Sequence, residues 1–265
     1  MNNPSPNQLA FLKAQFHHRL FVRCSRLVLF VTFILLWELT TRLEIIDSFI
    51  FSSPSKVFLC FWGMVVDKTI FLHIGITLYE TLLSFLLVTL FSILIAMLLW
   101  FSRKLSEIME PFLVVLNSLP KSALAPLLIV WLGATPKTII VAGMSVAIFG
   151  SIMNMSTSFQ EVDPDKLKLI HTLGGNRYQT LSKVVIPSCI PAIVSNMKVN
   201  IGLCLVGVVI GEFLAARNGL GYLIIYSSQV FKMDWLLMSI VLLCIMAMGL
   251  YALINAVEKV YQKYF

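Results

Sequence analysis

Three stretches of this chain, Thr81–Ser102, Thr138–Gln160 and Trp235–Val257, contain no charged side chain. Nothing constrains the fold more. A helix needs about 20 apolar residues to cross the hydrocarbon of a bilayer, and each stretch is long enough. Three further runs are nearly as apolar: Leu27–Thr41 with Glu38, Pro111–Pro136 with Lys121, and Val184–Gly211 with Lys198. Backbone groups in lipid must bond within their own segment or close a barrel, and these runs are too long for barrel strands. The expectation is an all-α polytopic membrane protein with about six transmembrane helices. Charged residues make up 12% of the chain, about half the share of a soluble domain.

The basic leader before the first run has the outline of a signal peptide. Glu38, the lack of a small-x-small cleavage site and the later spans make it an uncleaved first helix. The net charge of +7 sits between the apolar runs, where it sets orientation rather than marking a nucleic-acid binder. With the N-terminus inside, thirteen basic residues face the cytoplasm and six face out, Lys121 standing apart within a span. Both termini are then cytoplasmic, with residues 1–26 as a cytoplasmic segment and 27–265 as the membrane domain. The longest outer segment runs over 42–78. Ser53-Pro54-Ser55 reads there as a turn and helix start, and Lys56–Val66 is apolar enough to lie along the interface. The five cysteines are odd in number, scattered and without a CxxC pair, and read as small apolar side chains.

Between the fourth and fifth runs lies a different kind of segment, about 161–183. Asp163-Pro164 is a helix start, an amide-capping acid followed by proline at the first helical position. Leu167, Ile170 and Leu173 recur every three residues as a short apolar face. Gly174-Gly175 ends that helix. Asn176 with Gln179 has the spacing of a capping box and starts another turn. Pro187 and Pro191 open the fifth membrane helix. The pattern is a helix–Gly–helix elbow, too short to fold alone.

The elbow's spacing resembles the cytoplasmic loop of binding-protein-dependent ABC importer permeases: Glu-Ala-Ala, three residues, Gly, nine residues, Ile, one residue, Leu-Pro. Lys168, Leu169 and Ile170 take the triplet's places, Gly174 is the glycine, Val184 the isoleucine, and Ile186-Pro187 the Leu-Pro. The triplet itself departs: an acid has become lysine and two small residues have become large. Three more segments resemble the nitrate, sulfonate and taurine branch of that family: LLWELTTRLEIIDSFIFSSPSKV (35–57), LPKSALAPLLIVWLG (119–133) and GEFLAARNGLGYLI (211–224). The resemblance implies a type I ABC importer permease-like fold, a bacterial inner-membrane location and movement of a small solute inward. It implies an ABC ATPase subunit docked on Lys168, Leu169, Ile170, Gly174, Gly175 and Pro187, an extracytoplasmic solute-binding protein and a second permease copy. Membrane lipid is the remaining expected partner, and nucleic acid is not one.

No phosphate loop is present, since GGNRYQTLSK lacks the Gly-Lys of GxxxxGK[ST]. No catalytic or metal constellation is found either. The expectation is no enzyme activity and no directly bound cofactor, with ATP and Mg2+ handled by the partner ATPase. Lys121, with Asn117, Ser118 and Ser122 beside it, either offers a cationic surface on the solute path or, if the third helix starts later, snorkels to the cytoplasmic interface. Glu212 either lines an outer gate or is a solvated helix end. Asn218-Gly219-Leu220-Gly221 reads as a tight turn, in an ordinary loop or, as the resemblance implies, before an outer-side re-entrant segment near the path. Ser151 and Asn154 read as helix–helix hydrogen bonders. The rival to an ATP-driven permease is an ion-gradient-driven carrier, against which the charge-free second, fourth and sixth spans count.

Overall fold

A computed structural model describes the backbone of residues 6–264 and the side chains of residues 15–259. The first five residues and the side chains of Lys13 and Lys263, both counted among the cytoplasmic basic residues, lie outside those bounds. Twelve α-helices follow one another: α1 (Pro6–Arg42), α2 (Ser48–Phe51), α3 (Pro54–Val66), α4 (Thr69–Phe101), α5 (Arg103–Ser118), α6 (Lys121–Leu132), α7 (Pro136–Gln160), α8 (Pro164–Thr172), α9 (Arg177–Thr180), α10 (Ile186–Ala215), α11 (Leu220–Gln229) and α12 (Met233–Tyr264). Among the described residues there is no strand.

Five helices are long and apolar enough to cross a membrane: α1, α4, α7, the continuous run Arg177–Ala215, and α12. The expected third span is not a single rod. It breaks into α5 and α6, which meet at 94° across Leu119-Pro120. Pro120 lacks the N–H a continuing helix needs, and it holds Leu119 extended, at φ −62° and ψ 136°. Counted as one crossing, the bent pair brings the total to six.

The second span also differs from expectation. The charge-free run begins at Thr81, but α4 begins at Thr69, three turns earlier, and takes Glu80 into its interior. Glu80 is 2% exposed. The argument against an ion-driven carrier from a charge-free second span therefore fails.

The closest packing is between α7 and its neighbours α10 and α4. Gly207 and Gly211 of α10, four residues apart, lie against Ala142, Gly143 and Ile139 of α7. A Cβ on Gly207 would stand 2.8 Å from both the Ala142 carbonyl oxygen and the Gly143 Cα. Without side chains the two backbones touch, which is how membrane helices gain dispersion energy when lipid is as apolar as they are. Around this seam Phe85, Val88, Ala147, Ile201, Cys204, Leu250 and Ile254 form a core from α4, α7, α10 and α12. Polar side chains cross the seam too. Ser151 Oγ accepts from Asn196 Nδ2 at 2.6 Å and from Asn200 Nδ2 at 2.8 Å, and Asn154 Nδ2 donates to Asn196 Oδ1 at 3.5 Å. These are the helix–helix bonds expected of Ser151 and Asn154.

Charges at the spans have partners. Lys198 of α10 pairs with Glu258 of α12. Glu38 of α1 accepts from Arg42 Nε at 2.7 Å, Ser55 Oγ at 2.6 Å and Ser55 N–H at 3.1 Å, tying α1 to the first turn of α3. Ser53 caps α3 through the Lys56 amide, with Pro54 at the first helical position, as the sequence indicates. Over residues 27–36 α1 presents an exposed apolar surface suited to lipid, with Phe30, Phe33 and Leu35 all more than 60% exposed.

Candidate functional site

Three places concentrate polar chemistry: the elbow after α7, the break between α5 and α6, and the handover from α10 to α11.

The elbow forms by local rules. Asp163 caps α8 by accepting from the Asp165 amide at 2.9 Å, with Pro164 at the first position. The helix stops in a Schellman turn: Gly174 N–H reaches the His171 carbonyl at 3.0 Å and Gly175 N–H the Ile170 carbonyl at 2.9 Å. Gly174 has φ +78°, a conformation costly for any residue with a Cβ. Asn176 and Gln179 then exchange both bonds of a capping box, each at 2.8 Å. Chain direction reverses here without tertiary help.

A π turn, Leu181–Val185, joins α9 to α10, so the fifth span starts before Pro187 rather than at it. Ile186 N–H bonds the Leu181 carbonyl five residues back. The change of register precedes a proline with no N–H to give. Pro187 is exposed in the first turn of α10.

The apolar face of α8 is split. Leu167 packs inward against the cluster of Phe159, Leu181 and Val185, and Ile170 is half-buried. Leu169 and Leu173 are 59% and 74% exposed, and Tyr178 is 70% exposed. The three-residue spacing placed Leu173 with Leu167 and Ile170, but the Schellman turn swings it out. Lys168 pairs with Asp165 of its own helix at 3.0 Å, in solvent. Its charge is thus balanced locally by a bond of little energetic weight. Arg177 Nη1 donates to the Phe101 carbonyl at 3.3 Å, fastening the elbow to the C-terminus of α4.

At the α5–α6 break, Lys121 opens α6. Its Nζ donates to the Leu116 carbonyl at 2.5 Å and lies 5.1 Å from the centre of the Phe149 ring. A cation at a helix C-terminus and over an aromatic face is favourable on both counts. Asn117 lies beside Gly150, its Oδ1 3.2 Å from where a Cβ would be. Ser118 bonds back to the Val114 carbonyl at 2.8 Å. Asn117, Ser118 and Ser122 are exposed. These four residues cluster at the bend.

Glu212 does not join them. It is fully buried near the end of α10 and turns towards α4 and α11. Thr77 Oγ1 donates to Glu212 Oε1 at 2.6 Å, and Gly221 N–H donates to Oε2 at 2.6 Å. Leu220 N–H donates to Thr77 Oγ1 at 2.8 Å, and Gly219 N–H to His73 Nδ1 at 3.0 Å. The N-terminal amides of α11 are thus satisfied by side chains of other helices. The glycines make room. Gly219 adopts φ +118°, and a Cβ on Gly221 would stand 2.7 Å from Glu212 Oε2. Leu220, Gly221, Leu223 and Ser227 are buried, and α11, ten residues long, is too short to cross. It follows the glycine turn as a short buried helix. Glu212 is neither solvated nor exposed. Glu80, missed in the sequence because it precedes the charge-free run, is buried on the face of α4 whose Thr77 bonds Glu212. The GVVIG spacing at 207–211 was the readable sign of the α7–α10 seam.

A bundle of long apolar helices with a self-capped elbow and a short buried helix defines a polytopic α-helical membrane protein. Residues 88–265 match the family described as "Binding-protein-dependent transport system inner membrane component", and the chain belongs to that family. Among its relatives, a "Probable ABC transporter permease protein" of Haemophilus influenzae is 28% identical over 218 residues, 82% of this chain and 88% of the relative. The riboflavin transport system permease protein RibX of Chloroflexus aurantiacus is 25% identical over 223 residues, 84% of this chain and 83% of the relative. The taurine transport system permease protein TauC of Escherichia coli is 24% identical over 197 residues, 73% and 70%. The fold is similar to that of the inward-facing MetNI methionine ABC transporter, with TM-score 0.66 and 16% identity over 74% of this chain and 97% of that one.

Proposed function

We propose that this chain is the transmembrane permease subunit of an ATP-driven importer that moves a small solute into the cytoplasm. One observation carries the reading. The elbow 161–183 presents Leu169, Leu173 and Tyr178 to solvent while joining α7 directly to α10. These two helices are among the most closely packed in the molecule. Force applied to the elbow by a docked ATPase therefore reaches the α7–α10 seam without passing through a flexible linker.

ATP and Mg2+ belong to that partner in this reading, and the chain itself catalyses no bond chemistry. Leu169 and Ile170 are too large for close backbone approach by the partner, so docking uses an apolar pocket that takes Leu169 and Leu173. The remaining partners are a second copy of this chain and an extracytoplasmic solute-binding protein. The positive-charge count supports cytoplasmic termini in a bacterial inner membrane, with the bent α5–α6 pair making the sixth crossing. A small anion such as a sulfonate or nitrate is the solute that Lys121, Asn117, Ser118 and Ser122 favour at the bend.

The test is a gentle pull-down of the tagged chain from native membranes, followed by mass spectrometry. A P-loop ATPase is expected at about one copy per permease, as in complexes where nucleotide binding drives the switch. It should be lost when residues 164–183 are scrambled. A folded chain that retains no ATPase in several detergents would transfer the case to gradient-driven uptake, which vesicles under an imposed ion gradient measure.

A further inference from the structure

Two carboxyl groups meet inside the bundle where the importer reading uses neither. Glu212 of α10 is 0% exposed and Glu80 of α4 is 2% exposed. Thr77, one turn before Glu80 on the same face of α4, donates to Glu212 Oε1 at 2.6 Å, so both carboxyl groups lie in the α4–α10 interface. Two carboxyl groups buried together without a cation favour holding one proton between them.

The surrounding bonds say which. Glu212 accepts from Thr77 Oγ1 and from the Gly221 amide, at the N-terminus of α11. Donors and a helix N-terminus together suit a carboxylate, so Glu212 is the ionised member. Glu80 has the opposite surroundings. Its Oε2 is buried with no hydrogen-bond partner among the described residues. No basic side chain offsets it from the packed elements: Lys68 before α4, Lys137 in the first turn of α7 and Arg217 between α10 and α11 are exposed. His73 of α4 is the nearest titratable ring to the α11 amides, and its Nδ1 is taken by Gly219 N–H. Tyr222 of α11 stacks on that ring at 6.4 Å. A bare carboxylate in Glu80's position would face the Glu212 carboxylate in a medium of low dielectric, an arrangement that dicarboxylate pairs avoid by holding one proton in common.

We propose that Glu80 and Glu212 form a buried proton-binding site, in which one proton held on Glu80 and donated to the Glu212 carboxylate locks α11 onto the α4–α10 core. The proton comes from water and returns to water, and no other bond changes. When it leaves, two like charges face each other and push α10's carboxylate, with the α11 amides attached to it, away from α4. The site makes the seating of α11 depend on protonation. It stands independently of which partner drives transport.

The experiment uses the purified full chain in lipid nanodiscs. Infrared difference spectra at neutral pH are expected to show a protonated-carboxyl C=O band in the wild type that is absent in Glu80→Gln. The glutamine amide can still donate to Glu212. Backbone hydrogen exchange over 219–223 should therefore match wild type in Glu80→Gln and rise at least about tenfold in Glu80→Ala, which leaves the Glu212 side unpaired. A band that persists unchanged in Glu80→Gln overturns the assignment. So does equal exchange in Glu80→Ala and wild type. Where a variant does not fold, the wild type decides alone. A band lost reversibly on raising the pH supports the site. No band at neutral pH, or one present in choline buffer and abolished by sodium, assigns the pair to a metal cation instead and overturns the proposal.

Discussion

Replacing Gly207 by alanine adds one methyl group at the place where α7 and α10 are closest. The new Cβ would stand 2.7 Å from Val146 Cγ2, 2.8 Å from the Ala142 carbonyl oxygen and 2.8 Å from the Gly143 Cα. Val146 can rotate away, but the other two contacts are backbone. Carbon atoms rest at about 3.5–4.0 Å, so the helices must part by roughly 1 Å at the crossing. That movement loosens the contacts of Val208 with Ile139 and of Cys204 with Ala147, both in the core. Overpacking of this kind costs about 1–3 kcal/mol, and 2 kcal/mol is a factor of about 30 in the folded-to-unfolded ratio. The control lies on the same helix. Gly202 has nothing within 4 Å of its Cβ position. Gly202→Ala should be neutral or stabilising by up to about 1 kcal/mol, since glycine is the poorer helix former. Both variants are unfolded reversibly by rising SDS fraction in mixed micelles, with helicity followed by circular dichroism. Gly207→Ala should unfold at clearly lower SDS than Gly202→Ala. Equal midpoints for the two would refute the claim that this seam is in backbone contact.

Other expectations bear on the remaining sites. Gly174→Pro cannot adopt φ +78° and loses the amide bonded to His171. It should insert normally yet uncouple ATP hydrolysis from transport in proteoliposomes, and normal coupled transport would remove the elbow from the mechanism. Lys121→Met should lower uptake of an anionic solute and weaken the preference for anions, whereas unchanged uptake and selectivity would leave Lys121 only as the cation capping Leu116. Ser151→Ala strips an acceptor from both Asn196 and Asn200. A loss of about 1–2 kcal/mol in the same SDS titration is expected, near the upper end for polar contacts between membrane helices.

Much of this protein is written in short-range terms. The elbow's boundaries are readable because Asp163 with Pro164, Gly174 with Gly175, and Asn176 with Gln179 act within one or two turns of themselves. Their bonds form wherever the segment is placed. The apolar runs are readable because lipid tolerates no charge without a partner. That same criterion misled at the start of α4. A charge-free window must stop at Glu80, whereas α4 runs back to Thr69 with Glu80 buried inside it.

By itself, then, the sequence determined the class of solvent, the helical state, the elbow and the family pattern, since each depends on residue type and spacing along the chain. The tertiary structure decided the rest. It set the 94° bend after Leu119, although the proline that permits a break is visible in the sequence. It seated α11 on Glu212 and laid Gly207 against the backbone of α7. Glu80 and Glu212 are 132 positions apart in the chain. Only the packing of α4 against α10 brings their carboxyl groups together, and no local spacing records a contact that depends on how two helices meet.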